Sequence, residues 1–244
     1  MYRRSAAASI GVATALMLLL GSCSSPGPDR SPSGSGATPA ASSTPSPSPT
    51  VANLDSNGEL ALGTYTATAF RPRFRFTIAE SGWYAGRPTS WFQPLNVYPE
   101  HPERYLIFYR LKEVYKPQAR QPTAVPRPRD LVAWFREHPG FSTTTATETT
   151  LGGLEFLRFE ADVVNPRSMC AVDLDEAPCV LVAPNPGDAP LHYLEGVHVR
   201  IYISRARGRP LFISIEAPKD EFDSFAPSAE DVLQSTEFLD PLKG

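Results

Sequence analysis

Phe74, Phe76 and Ile78 alternate with Arg73, Arg75 and Thr77, a period of two that turns apolar side chains to one face of a strand and polar ones to the other. β-Branched and aromatic residues alternate in 62–68 as well, and Arg71-Pro72 between the runs predicts a turn joining two strands. Tyr105-Leu106-Ile107-Phe108-Tyr109-Arg110-Leu111 is more apolar still and predicts a strand through the middle of a sheet. Pro117, Pro122, Pro126 and Pro128 then exclude helix and central strand over 116–129, which reads as an exposed loop. Beyond it the period changes. Leu131, Trp134 and Phe135 recur at helical spacing behind Asp130 and before Pro139-Gly140, so a short helix lays an apolar stripe on the sheet.

Two hairpins follow. Residues 143–151 and 154–163 flank Gly152-Gly153, which supply the positive φ angles of a tight turn. Residues 197–203 and 210–215 flank Arg205-Ala206-Arg207-Gly208-Arg209. Phe222, Phe225, Ala229, Val232 and Leu233 predict a final amphipathic helix, which Pro227 is expected to break into two turns. Residues 236–239 are placed to close a sheet edge. Strands, a crossing helix, two hairpins and a terminal helix define an α+β fold: an antiparallel β-sheet packed by two helices.

The first fifty residues follow another pattern. Arg3 and Arg4 precede an apolar run over 6–20, and Leu20-Gly21-Ser22-Cys23 has the small residues and cysteine of a lipoprotein cleavage box. About fifteen apolar residues fall short of the roughly twenty that span a bilayer. The expectation is a signal peptide over 1–22, exported by general secretion, and acylation of Cys23, with palmitate-type chains anchoring the protein to the outer face of a cell membrane. Residues 23–52, almost all Ser, Pro, Gly, Ala or Thr, read as a disordered tether, and 53–244 as a single globular domain.

Charge narrows the partners. With 23 basic and 26 acidic residues the net charge is -3, and no pull toward nucleic acid is expected. Once Cys23 carries lipid, Cys170 and Cys179 remain as an even pair in an oxidising compartment, and a disulfide between them is expected. Zinc needs four close ligands, and only His192 and His198 lie near this pair; the acidic loop between the cysteines lacks the spacing of a calcium motif. No metal and no cofactor is expected. The domain has no Gly-x-Ser-x-Gly elbow, no Ser-x-x-Lys box and no His-Glu-x-x-His helix, and His101, His138, His192 and His198 read as surface or rim residues. The expectation is a protein without catalysis.

Three groups of residues suit binding. Arg71, Arg73 and Arg75 on one strand face, and Arg205, Arg207 and Arg209 at a hairpin tip, carry forks that fit phosphate or carboxylate groups of lipids or wall polymers. Solvated charge that guards sheet edges is the plain alternative. Trp83, Trp91 and Phe92 offer an apolar wall for a ligand or partner, or else fill the core.

Residues 74–83, Phe-Arg-Phe-Thr-Ile-Ala-Glu-Ser-Gly-Trp, resemble the strand ending in Pro-x-Gly-Trp that opens PsbP-like domains, here without the proline. Residues 212–218, leading into a helix and then 235–238, are similar to the close of such domains. The resemblance extends to actinobacterial lipoproteins of the LpqN type, and it implies a sandwich fold and an accessory or binding role. The functional expectation is a lipid-anchored envelope module that binds another envelope protein or a wall or lipid component. A carrier enclosing an apolar or lipid-like ligand is the competing class, and an enzyme with an unrecognised site is the third.

Overall fold

Residues 51–97, 101–117, 121–172, 175–185, 189–205 and 210–240 are described by a computed structural model. The signal peptide, Cys23, nearly all of the tether, Arg207 and Arg209 lie outside them.

The chain opens with strands β1 (Val51–Asn53), β2 (Gly58–Glu59), β3 (Gly63–Ala67) and β4 (Phe74–Ile78). β3 and β4 pair antiparallel around Arg71-Pro72, and Phe74, Phe76 and Ile78 are all buried, as their alternation requires. β1 lies parallel to β3, which draws Val51 and Ala52 into a strand despite the tether-like composition just before them. β5 (Trp83–Ala85), β6 (Phe92–Val97) and β7 (His101–Arg110) form an antiparallel meander. β8 (Glu113–Tyr115) and β9 (Ala124–Pro126) pair as a two-stranded ribbon. The stretch expected as a plain loop therefore holds a strand, short and peripheral, with proline at its end where no ladder bond is lost.

α1 (Leu131–Glu137) begins where Asp130 accepts a hydrogen bond from the Ala133 N–H at 2.9 Å. β10 (Phe141–Thr143), β11 (Thr147–Leu151) and β12 (Leu154–Val163) follow, with β11 and β12 joined through Gly152 and Gly153 at φ 54° and 78°. A Cβ on Gly152 would approach the Thr236 carbonyl oxygen to 2.7 Å, so close packing and backbone conformation both demand glycine there. β13 (Ser168–Val172), β14 (Asp175–Ala183) and β15 (Leu191–Leu194) form a separate three-stranded sheet. The chain closes with β16 (Val197–Ser204), β17 (Leu211–Pro218), α2 (Phe222–Gln234) and β18 (Glu237–Phe238).

One sheet of nine strands runs in the order β10-β12-β16-β17-β7-β6-β5-β2, with β11 also paired to β12. β7 is central, as its apolar run requires. The expectation of a single sheet packed by two helices is too simple, because helices cover only part of each face. α2 and the sheet β1-β3-β4-β18 pack on one face, and α1 and the sheet β13-β14-β15 on the other. β17 shows both layers at once. Leu211, Ile213, Ile215 and Ala217 join Phe74, Trp83 and Phe225, while Phe212 joins Ile107, Phe135 and Tyr193.

α2 corrects a second expectation, since it runs unbroken with Pro227 in its interior. An interior proline costs about 3 kcal/mol. Phe222, Phe225, Ala226, Ala229, Val232 and Leu233 are buried from this one helix, and each large side chain contributes roughly 1.5 to 3 kcal/mol, so packing outweighs the lost bond.

Cys170 and Cys179 are joined across β13 and β14, with Cα atoms 5.8 Å apart. Replacing both by alanine should lower unfolding free energy by roughly 2.5 to 3 kcal/mol, the chain-entropy value for a loop of about ten residues. Urea unfolding of the oxidised protein and the double variant measures it, and coincident midpoints would show that the cross-link contributes nothing.

Candidate functional site

β17 sits between β16 and β7, and its residues 214 and 216 point away from α2 toward β15. Glu216 is paired in register with Tyr105 on β7 and Val199 on β16. At this end the three-stranded sheet stands off the nine-stranded one and leaves a cleft of about 500 Å³. Its walls are apolar: Phe92 and Pro94 from β6, Ile107 from β7, Leu191 and Leu194 from β15, and Val197 from β16. Glu103, Tyr105, Asn185, His192 and Glu216 supply the polar groups, and among the described residues no lysine or arginine lines it. This volume and mixture are those of a small-molecule site.

The carboxyl at its floor is unusual. Glu216 is 6% exposed, and burial pushes its carboxyl well above the usual value. Its Oε1 has no hydrogen-bond partner among the described residues, and neither has Oδ1 of Asn185, which is 7% exposed. Behind Glu216 lie the buried hydroxyls of Tyr193 and Ser214, near one another but outside hydrogen-bond geometry. Burial first, and then the nearness of Glu216, hold the Tyr193 phenol far above its ordinary value. Each such group costs about 1 to 3 kcal/mol when unsatisfied, and native interiors contain few of them. Four beside one cleft mark it as built for something polar.

Backbone contacts position the rim. The Tyr109 hydroxyl donates to the Pro184 carbonyl at 2.5 Å, tying β7 to the segment that carries Asn185. His192 Nδ1 lies 2.7 Å from the Pro190 carbonyl, so that nitrogen carries the proton. A second cavity of about 300 Å³ lies beside the disulfide, between Tyr115, His138, Arg167, Met169 and Cys179. It lacks a comparable group of buried, unpaired polar atoms among its lining.

The aromatic residues singled out in the sequence are divided between two faces. Trp83 is 1% exposed and packs on Phe225 at 5.8 Å, in the core under α2. Trp91 and Phe92 lie on the opposite face against Tyr109, at 5.6 and 5.7 Å, and Phe92 lines the cleft. The arginines engage partners of this chain. Arg73 meets Asp240 at 2.8 Å, and its side-chain and backbone hydrogen bonds hold that carboxyl down to about 2. Arg75 meets Glu237 at 3.3 Å, Arg71 donates to the Phe70 carbonyl at 2.9 Å, and Arg205 meets Glu148 at 2.5 Å.

His138 corrects the expectation of a rim position. His138 is 7% exposed, packed between Trp134 and Phe141, and its Nδ1 accepts from the Gly140 N–H at 3.0 Å. Burial lowers it to about 4. His198 is bonded to Asp162 at 2.7 Å and lies edge-on to Phe222. Beside it Arg200 bridges Glu160 and Glu230 at 2.7 and 2.8 Å, which fastens α2 to the sheet. The ion pairs close on one another, so this cluster reads as a clamp.

No protein-family model matches the sequence, and no curated protein matches it. The solution structure of cyanobacterial PsbP (CyanoP) from Synechocystis sp. PCC 6803 is similar at a TM-score of 0.39 and 13% identity, covering 74% of this chain and 94% of that one.

Proposed function

We propose that this protein is a lipid-anchored module of the cell envelope that holds a small, largely apolar molecule in the cleft between its nine- and three-stranded sheets, without chemistry of its own. The cleft carries the reading: about 500 Å³, apolar walls, and buried polar groups with no partner at one end. It favours a ligand-holding role over a purely scaffolding one, because a scaffold has no need of unsatisfied groups under a cavity. The cleavage box at Cys23 supports export and anchoring, and the PsbP-like motifs support an accessory role. No helix among the described residues is long and apolar enough to cross a membrane. Attachment in this proposal rests on lipid at Cys23.

Nile red, a neutral apolar dye, tests the cleft. Its fluorescence should rise saturably with the wild-type protein and not with Leu194→Trp, which fills the cavity from β15. In cells, Cys23→Ser should move the protein from the membrane fraction to the soluble one. A dye response that is absent, or identical in both proteins, would overturn the cleft reading; an unacylated wild-type protein would overturn the anchor.

A further inference from the structure

We infer that the cleft selects a ligand with an apolar body and one protonated amine, whose ammonium donates hydrogen bonds to Glu216 and Asn185. The inference rests on the ligand-holding role and adds the class of ligand. Two side chains more than nine-tenths buried line the cavity with unpaired oxygens, Glu216 Oε1 and Asn185 Oδ1. An ammonium has three donors and so can serve both acceptors, whereas an alcohol has one. Charge points the same way. Glu103 adds a second carboxyl to the lining, which holds no lysine or arginine among the described residues. A carboxylate or phosphate ligand would find no lysine or arginine in that lining to pair with.

The groups packed around Glu216 sharpen the contrast. Tyr105 flanks it on β7, Val199 on β16, and Tyr193 reaches it from β15, with Glu103 and His192 further along the lining. None is a fixed cation. The arginine nearest in sequence on β16, Arg200, lies on the other face with Glu160 and Glu230. Burial favours the protonated form of Glu216 in the unliganded cleft, and an entering ammonium favours the charged one: where the proton leaves, the carboxyl O–H bond breaks, the proton passes to buffer, and an ammonium–carboxylate pair remains. A neutral ligand displaces none.

Octylamine, octanol and octanoate share one apolar body and differ only in the head group. In competition with Nile red near neutral pH, octylamine should displace the dye at a concentration lower than octanol by about tenfold or more, with octanoate weakest. Calorimetry in phosphate and in Tris should report net proton release on binding octylamine and none on binding octanol. Glu216→Gln should abolish the preference for octylamine over octanol, and far-UV circular dichroism with urea unfolding reports whether the variant folds; a folded variant that keeps the preference would overturn the inference. Equal binding of amine and alcohol to the wild type, stronger binding of octanoate, or no proton release would overturn the amine inference and leave the cleft standing. Failure of Nile red and all three octyl compounds would instead overturn the ligand-holding role.

Discussion

As the pH rises above about 4.5 the wild type should lose stability relative to Glu216→Gln. Burial opposes the charge of Glu216 and holds its folded-state value well above the ordinary 4.5 at which the same carboxyl ionises in the unfolded chain. Above that value the native state binds more protons than the unfolded one, so unfolding free energy falls with rising pH, by up to about 1.4 kcal/mol per unit for one proton. The decline ends where the folded carboxyl itself ionises. His138 tilts the other way. Its folded value of about 4, against an ordinary 6.5, means that stability is lost as pH falls between those values. Above about 4.5 the two slopes oppose each other, and above about 6.5 that of His138 is spent. Urea unfolding at four pH values, for the wild type and Glu216→Gln, measures the difference. Parallel curves would show that the carboxyl is already ionised or solvated in the native state.

Phe135→Ala should cost about 3 to 5 kcal/mol, the range for truncating a fully buried phenylalanine. Phe135 is 0% exposed, and its ring lies 5.3 Å from Phe141, 5.5 Å from Phe159 and 5.9 Å from Phe212. Those three belong to β10, β12 and β17, so one side chain of α1 joins three strands of the nine-stranded sheet. α1 is only seven residues long, too short to be stable without that contact. Trp134→Ala on the same helix is the control: Trp134 is only partly buried, and its loss should cost clearly less. Thermal or urea unfolding of the two variants tests the assignment, and equal losses would mean that α1 is not anchored through Phe135.

Much of the fold was legible because its signals are local. Gly152-Gly153 between two alternating runs can close only one hairpin, and Asp130 before Leu131 starts a helix whatever the remainder does. The pairing of Cys170 with Cys179 followed from counting. Pro227 was misleading for the opposite reason, since its local penalty is overruled by six buried neighbours that become buried only when α2 meets the sheet. His138 looked like a loop residue beside Pro139, and its burial depends on Trp134 and Phe141 closing over it.

The candidate site was the least legible part. Phe212-Ile213-Ser214-Ile215-Glu216 has the alternation of a half-wet strand, and in such a strand Ser214 and Glu216 would face water. Here they face β15, and every position of β17 from Leu211 to Ala217 is buried. The one available hint was Phe212, which shares their face and is too apolar for solvent. The arginines at 71, 73 and 75 were visible as a group, but Asp240 and Glu237, the partners of Arg73 and Arg75, lie more than 160 residues away in sequence.

By itself the sequence determined the strands with clean alternation, the two helical stripes, the Gly152-Gly153 turn, which cysteines pair, and that a Ser- and Pro-rich stretch separates Cys23 from the domain, because each depends on neighbours a few residues apart. Only the tertiary structure decided which strand faces are dry and where two sheets part to leave a cavity. Burial is a property of what comes to lie opposite a residue, and a carboxyl on a β-strand reads the same in sequence whether water or Tyr193 awaits it.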